Sequence, residues 1–282
     1  MSSIRSLGGR TTIRPPFYIH KHLKMRKLII PILGILALVT SCSKEPGWKL
    51  VWTEDFNGPQ IDESVWSRVE TGKSDWNNMM SLRPDLAFIE DGQLVLLGKV
   101  NDGSSSDTTA FVTGGLKSRG KKSFMPLAKF EIKAKYNNVD GFWPALWLMP
   151  DYDMPKDEYA EIDIMEHLNS DTFAYQTLHS RYSLDVSRTD PKNYGTGPIV
   201  PGDWNIYAAE VYRDSICMYT NGQKTLTYPR LEGKEHQFPW PDYPFYFILS
   251  NQLEGNWVGK VTDPGQLPSE LRVDWIKVYQ WK

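Results

Sequence analysis

After residue 47 the chain has no stretch of 12 or more residues with helical periodicity, and this feature limits its fold more than any other. Short segments instead alternate between apolar and polar residues, a period of two that is typical of half-buried strands. In Phe130–Tyr136 the apolar side chains share one face and the charged side chains share the other. Gln93–Val100 and Leu271–Tyr279 are predicted strands as well.

Turn sequences separate these segments. The pair Asn221-Gly222 lies between two strand-like runs, and both residues tolerate the positive φ of a type I′ turn, which predicts a β-hairpin. We find no internal repeat and no long linker, and one block of about 235 residues fits a single β-sandwich. The predicted fold class is all-β: two antiparallel sheets packed as a sandwich in one domain, residues 43–282.

The first 42 residues differ from the rest, because they contain seven basic residues and no acidic one. Residues 28–39 form an apolar run of about 12 residues, too short to span a hydrocarbon core of about 30 Å as a helix. Basic residues precede this run and two small residues follow it, the pattern of a secretory signal peptide. Val39-Thr40-Ser41-Cys42 resembles the bacterial lipobox, in which the cysteine becomes the lipidated first residue of the mature protein.

This N-terminal extension predicts an exported protein held on the outer membrane by a lipid at Cys42, with no segment that crosses the membrane. Lys44-Glu45 resembles the charged tag of lipoproteins that some Gram-negative bacteria display on the cell surface. The alternative is an ordinary secretory signal followed by an incidental cysteine. Met25 is an alternative start, which would leave residues 1–24 untranslated.

The charge of the chain is unevenly placed. Of its 32 basic residues seven lie in residues 1–42, which leaves 25 basic against 34 acidic residues, a net charge of −9, in the remainder. Such an acidic domain is poorly suited to binding phosphates, so nucleic acid is excluded as a partner. The chain has only two cysteines, which excludes a disulfide framework, and Cys217 is predicted to be a small buried apolar residue. No cofactor motif is present, and a monomer without a catalytic cofactor is predicted.

The segment Ala160–His167 carries three carboxylates among large apolar residues. In a strand Glu161 and Asp163 share one face, whereas simple alternation puts Glu166 on the other. One extra residue, a β-bulge near Ile164-Met165, would return Glu166 to the face of Glu161. The Cα atoms of the two glutamates would then lie about 13 Å apart, and inward-leaning side chains bring their carboxyls to roughly 5–6 Å. That is about the spacing of the two carboxyls in a retaining glycosidase.

Three carboxylates in this arrangement suit the cleavage of a glycosidic bond. One must be ionised to attack the anomeric carbon, and another must carry a proton for the leaving oxygen. Neighbouring negative charges raise one pKa above the other and so separate these tasks, while the third acid can orient the attacking group. The alternative is an exposed strand edge with solvated acids. It is less favoured because three acids on one apolar-backed strand repel one another.

Glu161-Ile-Asp-Ile-Met-Glu166 resembles the Glu-x-Asp-x-x-Glu signature of glycoside hydrolase family 16, and the resemblance extends over nearly all of the chain after residue 47. Trp52–Gly58 resembles the family's first strand, and Gly141–Trp147 resembles the segment before its signature. The resemblance implies a β-jelly roll with a concave substrate cleft and a retaining mechanism. It implies that Glu161 is the nucleophile, Asp163 its assisting acid and Glu166 the general acid/base.

Aromatic and polar residues around this motif are candidates for binding sugar, because flat aromatic faces suit pyranose rings. Trp143 and Trp147 are four residues apart and therefore share one face of a strand, where members of the family use such residues in their donor subsites. The other candidate substrate-binding residues are Asn77 (or its neighbour Asn78), Arg83, His179, Gln252 and Trp257. The alternative for each of them is an ordinary structural or surface role.

Many members of the family also hold a calcium ion on the convex side of the fold. The resemblance assigns its ligands to the carboxylate of Asp274 and to backbone carbonyls near Glu54 and Gly92. Such a site of hard oxygen ligands would be structural rather than catalytic.

Taken with this resemblance, the sequence predicts a retaining endo-β-glycosidase that hydrolyses internal β-linkages of a polysaccharide. β-1,3- or mixed-linkage glucan is the favoured substrate. The segment Asn251–Trp257 departs from the laminarinase pattern, so an endo-β-1,4-galactosidase acting on galactan, keratan or mucin O-glycans stays open. A transglycosylase and a non-catalytic glycan-binding surface lipoprotein stay open as well. The lipoprotein is less favoured because binding alone does not need the three carboxylates.

Overall fold

The computed structural model describes residues 47–282, so the predicted signal peptide and lipidation site at Cys42 lie outside the described residues. The described residues lie in one compact unit. None of the helices in this part of the chain is both long and apolar enough to cross a membrane.

Strands account for most of the regular structure between residues 47 and 282. They are β1 Trp48–Glu54, β2 Ser67–Arg68, β3 Ala87–Glu90, β4 Gln93–Val100, β5 Phe111–Thr113, β6 Gly115–Lys117, β7 Ser123–Phe124, β8 Ala128–Tyr136, β9 Phe142–Pro150, β10 Ala160–Glu166, β11 Phe173–Ser180, β12 Tyr194–Pro198, β13 Asn205–Val211, β14 Ser215–Thr220, β15 Gln223–Pro229, β16 Phe245–Leu253 and β17 Ser269–Trp281. The helical elements are α1 Arg181–Asp185 and the 3-10 turns Pro84–Leu86, Trp240–Asp242 and Pro264–Gln266.

The strands form two antiparallel sheets. The sheet that we call the outer sheet has the order β15-β14-β13-β8-β17-β4-β3, with β1 added beside β17 and β5 beside β4. The other, the cleft sheet, has the order β12-β11-β10-β9-β16-β6-β2, with β7 added beside β16. Strands that are neighbours in a sheet are often far apart in sequence, as expected of a β-jelly roll. This architecture confirms the predicted all-β sandwich.

The alternation of the sequence explains how the strands bury one face. Phe130, Ile132, Ala134 and Tyr136 of β8 are buried, while the charged residues between them are half-buried. The predicted hairpin is also present: β14 and β15 pair across Asn221 and Gly222, whose φ values are 51° and 77°. β16 differs, because all nine of its residues are buried, as befits a central strand of the cleft sheet.

Large aromatic side chains fill the space between the sheets. The rings of Phe130 and Phe247, one from each sheet, meet edge to face with their centroids 5.7 Å apart. Trp66 and Trp240 are fully buried. Burial of a side chain of this size stabilises the fold by about 1.5–3 kcal/mol. Cys217 is a buried free cysteine, as predicted.

Candidate active site

The strand β10 carries the three carboxylates, and its pairing contains the predicted bulge. Across from β11, Asp163 pairs with Thr177 and Glu166 pairs with Tyr175, so that Ile164 and Met165 together face one residue of β11. The pairing with β9 shifts at the same point. The extra residue restores Glu166 to the face of Glu161 and Asp163, and the β-bulge expected from the spacing is thereby confirmed.

All three carboxylates line one cavity of about 560 Å³ on the cleft sheet. Asp163 and Glu166 are buried, with 4% and 8% of their surface exposed, and the side chain of Glu161 is 16% exposed. A second cavity shares Arg119, Met149, Tyr159 and Tyr246 with the first. The two therefore form a continuous groove that runs past the carboxylates rather than a blind pocket.

Burial raises the pKa values of these three carboxyls, and the charge of Asp163 adds to the effect on the two glutamates. Burial, followed by the negative charge of Asp163, raises the pKa of Glu161 from 4.5 to about 7. Burial raises the pKa of Asp163 as well. The pKa of Glu166 lies well above 4.5, because of its burial and then because of the charges of Asp163 and Glu161.

Two contacts of Glu161 partly offset the effect of burial and favour its ionised form. The hydroxyl of Tyr159 donates a hydrogen bond of 2.5 Å to its carboxyl, and this bond lowers the pKa of Glu161. The Nε2 atom of His179 lies 3.7 Å from the Glu161 carboxyl and 3.3 Å from that of Asp163, and its charge also lowers the pKa of Glu161. The indole of Trp240 donates to the backbone carbonyl of Glu161 at 3.1 Å, which holds this part of the strand in place.

Glu166 lies against the predicted tryptophans. The indole nitrogen of Trp143 donates a hydrogen bond of 3.1 Å to Oε1 of Glu166. Trp147 lines the same cavity and meets Trp76 edge to face, with ring centroids 4.8 Å apart. Two glutamates and several aromatic rings thus line one groove, the kinds of side chain with which a glycosidic bond can be cleaved.

The sequence matches the family model "Glycosyl hydrolases family 16" over residues 86–277. The chain belongs to glycosyl hydrolase family 16. This confirms the family, the jelly-roll fold and the enzyme class, an O-glycosyl hydrolase, that the motif predicted.

Relatives of the chain are named for different activities. The chain is 34% identical over 245 residues to a keratan-sulfate endo-1,4-beta-galactosidase of Sphingobacterium multivorum; the alignment covers 83% of this chain but 55% of that protein. It is 28% identical to a beta-glucanase of Rhodothermus marinus, covering 92% and 97% of the two chains. The catalytic domain of a laminarinase from Thermotoga petrophila superimposes with a TM-score of 0.70 at 26% identity, covering 84% of this chain and 100% of that one.

Two further predicted sugar-binding residues lie at the family 16 cleft. Asn77 lines the cavity, and its side-chain oxygen accepts a hydrogen bond from the backbone of Ser74. Trp257 is 48% exposed and does not line the cavity itself. Its ring packs edge to face on Trp143 and Tyr175, with centroids 5.5 and 5.1 Å away. The Trp257 side chain therefore supports the wall that Trp143 forms.

Gln252 and Arg83 have other contacts than those predicted. Gln252 is 1% exposed, and its amide donates to the side chain of Asn78 at 3.0 Å, so it anchors the loop beside the cleft. Arg83 does not line the cavity. Its guanidinium bonds Asp85 at 2.9 Å and Asp102 at 2.7 Å, in an ion-pair network on the surface. The sequence could not show this network, because Asp102 lies 19 residues away.

The one side chain predicted to bind calcium, that of Asp274, has another partner in the structure. The carboxylate of Asp274 is paired with the ammonium of Lys133 at 2.8 Å, and this lysine already supplies the charge that calcium would bring. The calcium site stays a prediction from the family resemblance.

Among the described residues one group has the ligand atoms for a metal ion: Glu161, Asp163 and His179 present them within 4.8 Å of one another. All three belong to the carboxylate cluster of β10 and its neighbour β11.

Sequence reasoning missed Tyr159, the residue that donates to Glu161. The same alternation that placed Glu161 and Asp163 on one face extends back to Tyr159, two residues before Glu161, so the signal was available. Trp240 had no such signal, since it lies 79 residues from Glu161 in the sequence and contacts it only in the folded chain.

Proposed function

We propose that this chain is a retaining endo-β-glycosidase that hydrolyses internal linkages of a glycan. One observation carries the proposal: Glu161 and Glu166 line the same groove on one face of β10, and burial raises the pKa of both carboxyls. A retaining glycosidase needs two such carboxyls, because one must attack as an anion and the other must arrive protonated.

The reaction follows from these positions in two steps. In the first, a carboxylate oxygen of Glu161 forms a bond to the anomeric carbon as the glycosidic carbon–oxygen bond breaks, and the proton of Glu166 passes to the leaving oxygen. In the second, Glu166 takes a proton from water, the water oxygen bonds to the anomeric carbon, and the carboxylate of Glu161 leaves. Asp163 lies between them, and its negative charge opposes early ionisation of both glutamates.

Cleavage within a chain rather than at its end is supported by the form of the groove. The cavity at the carboxylates continues into a second cavity lined by Tyr152, Tyr159 and Tyr246. A glycan can therefore extend past the cleavage point on the sheet. Trp143 and Trp147 offer aromatic faces to its sugar rings.

Two substrate classes are supported by relatives. β-1,3- or mixed-linkage glucan is supported by the likeness to a beta-glucanase over 92% of this chain and to the laminarinase domain of Thermotoga petrophila. A β-1,4-galactosidic glycan is supported by the higher identity, 34%, to the keratan-sulfate endo-1,4-beta-galactosidase. The changed segment Asn251–Trp257 also favours the galactoside, so both classes belong in the first experiment.

The test is product release by purified residues 43–282, with Glu161→Gln as the inactive control. Laminarin, mixed-linkage glucan, porphyran, agarose, keratan sulfate and mucin O-glycans are incubated separately, and the products are resolved by size. We expect oligosaccharides from one class with the wild type and none with the variant. Transfer products longer than the substrate would instead identify a transglycosylase. Binding without any product would contradict the proposal and favour a non-catalytic glycan-binding protein.

We also propose that the protein is exported and anchored by a lipid on Cys42, and that it acts as a monomer. The proposal is supported by the basic, apolar and small-residue order of residues 24–41 before that cysteine. Mass spectrometry of the mature N-terminus tests it: a diacylglyceryl group on Cys42 is expected. An unmodified cysteine, or a mature chain that begins elsewhere, would contradict the anchor. Sedimentation of the soluble domain tests the monomer.

A further inference from the structure

The bulge that turns Glu166 toward the groove leaves a backbone carbonyl to be satisfied. Ile164 and Met165 face one residue of β11, so the regular ladder of hydrogen bonds is interrupted at this point. The one residue opposite them is Gln176, and its side-chain amide donates a hydrogen bond of 2.7 Å to the carbonyl oxygen of Ile164. A buried carbonyl without a partner would be unfavourable by about 1–3 kcal/mol, so this bond stabilises the bulged form of the strand.

Gln176 is itself held on every side. Its side chain is fully buried between the two sheets. The second amide hydrogen is donated to the carbonyl of Tyr219 at 3.2 Å, while the side-chain oxygen accepts from the hydroxyls of Thr220 and Thr225. Both donors and the acceptor oxygen are used. The orientation of the amide follows from this network, because a flipped amide would set its oxygen against two carbonyl oxygens.

These partners connect the bulge to the outer sheet. Tyr219, Thr220 and Thr225 belong to β14 and β15, whereas Gln176 belongs to the cleft sheet. Two glycines of β12 make room for the contact: a Cβ atom on Gly195 would lie 2.7 Å from the backbone oxygen of Thr225, and one on Gly197 would overlap the Thr220 side chain. The sheets therefore approach closely at the point where the catalytic strand is bulged.

We propose that Gln176 is a positioning residue that holds the bulge of β10 in the form that presents Glu166 to the glycosidic oxygen. The inference rests on the proposed function, since it assigns Glu166 the role of proton donor. Gln176 acts through the carbonyl of Ile164, two residues before Glu166, and does not line the cavity itself. Glu161 and Asp163 lie before the bulge and keep their regular pairing with β11. Loss of Gln176 should therefore affect Glu166 more than Glu161.

A matched residue separates positioning from general stability. Asn193 is also fully buried. Its side-chain amide donates a hydrogen bond of 2.7 Å to the backbone carbonyl of Leu178, which lies on β11 as Gln176 does. Leu178 pairs with Ile162, away from the bulge. Gln176→Met and Asn193→Leu each replace a buried amide by an apolar side chain of similar size, so both should lower stability. Only the first should affect acid–base catalysis.

The test compares leaving groups in the full-length chain. The probes are phenyl and 2,4-dinitrophenyl β-glycosides of laminaribiose and of N-acetylglucosaminyl-β-1,3-galactose. Dinitrophenolate can leave without receiving a proton, whereas phenolate needs a proton from the general acid. Gln176→Met should lower kcat on the phenyl glycoside by about 10- to 100-fold, with KM within about twofold. It should keep the initial burst of dinitrophenolate, since attack by Glu161 is intact. Azide should then restore turnover, because this anion needs no general base.

Each outcome decides between positioning and a purely structural role. An equal loss with both leaving groups, or the same profile for Gln176→Met and Asn193→Leu, would overturn the positioning role. Gln176→Asn, which keeps an amide too short to reach the same carbonyl, provides a milder variant if Gln176→Met does not fold. If the wild type cleaves neither sugar, the proposed function fails on those substrates. A crystal structure of the variant then decides: the inference predicts a displaced Glu166 and fails if its 3.1 Å bond from Trp143 persists.

Discussion

Glu161→Gln should make the protein more stable while removing its activity. Glutamine has the size of glutamate and can still accept the hydrogen bond from Tyr159, so the packing of the groove is preserved. The change removes a carboxyl whose ionisation is opposed in the folded chain by burial and by the charge of Asp163. An active site of this kind keeps an unfavourable group because the reaction needs it.

The size of the effect follows from the pKa of Glu161, which folding raises from 4.5 to about 7. Each pKa unit corresponds to about 1.4 kcal/mol, so ionised Glu161 lowers the free energy of unfolding by about 3 kcal/mol above pH 8. The sign is that of an acid whose pKa is raised by folding. Below pH 4.5 the carboxyl is protonated in both states and the variant gains nothing. The gain grows as the pH rises toward 7 and is constant above it.

Urea denaturation of the wild type and of Glu161→Gln at pH 4.5, 6 and 8 measures this difference. At pH 8 the midpoint of thermal unfolding should also rise, by about 6 to 12 °C for a domain of this size. Glu232→Gln, which neutralises an exposed carboxyl outside the groove, is the matched control. A wild-type-to-variant difference that is the same at all three pH values would refute the argument, since a shape effect does not depend on pH.

Three other changes test the surroundings of the site and the packing of the fold. His179→Ala removes a charge that lowers the pKa of Glu161, so the acidic limb of the kcat/KM profile should move to higher pH; a shift to lower pH would contradict this assignment. Tyr159→Phe should move the same limb in the same direction and lower kcat/KM by about 10-fold, because a hydrogen bond to the nucleophile is lost; unchanged kinetics would show that the hydroxyl is not needed. Gly114→Ala should lower the free energy of unfolding by at least about 2 kcal/mol in urea, because its Cβ would overlap the backbone oxygen of Leu86, with the carbonyl carbon 2.6 Å away. A change below about 0.5 kcal/mol would mean that the backbone yields there.

The catalytic strand shows how far sequence reasoning extends. The spacing Glu161, Asp163, Glu166 is incompatible with one face of a regular strand, so the chemistry required a bulge, and the register of β10 contains it. The residue that satisfies the bulge could not be predicted in the same way. Gln176 has its partners on β10, β14 and β15, and a single polar residue within a strand gives no sign of which carbonyl it will meet.

Some of the predicted substrate-binding residues could also be placed from the sequence, and others could not. Trp143 and Trp147 line the groove, and their spacing of four on one strand was sufficient to place them on one face. Arg83 and Gln252 were predicted from their position in the chain. In the fold, Arg83 forms ion pairs with surface carboxylates, and Gln252 donates a hydrogen bond to the side-chain amide of a loop residue. Position along the chain orders residues within a strand, whereas the direction of a loop side chain depends on elements far away.

What this sequence determined by itself was local and periodic: the alternation that makes strands, the Asn221-Gly222 turn, and the presence of three carboxylates on one strand with an obligatory bulge. Only the tertiary structure decided the burial that raises the pKa values of Glu161 and Glu166 and the partners that hold them in place. The physical reason is the separation along the chain over which each interaction acts. Backbone preferences act between neighbours in the chain, while desolvation, repulsion and hydrogen bonding act between groups that only folding brings together.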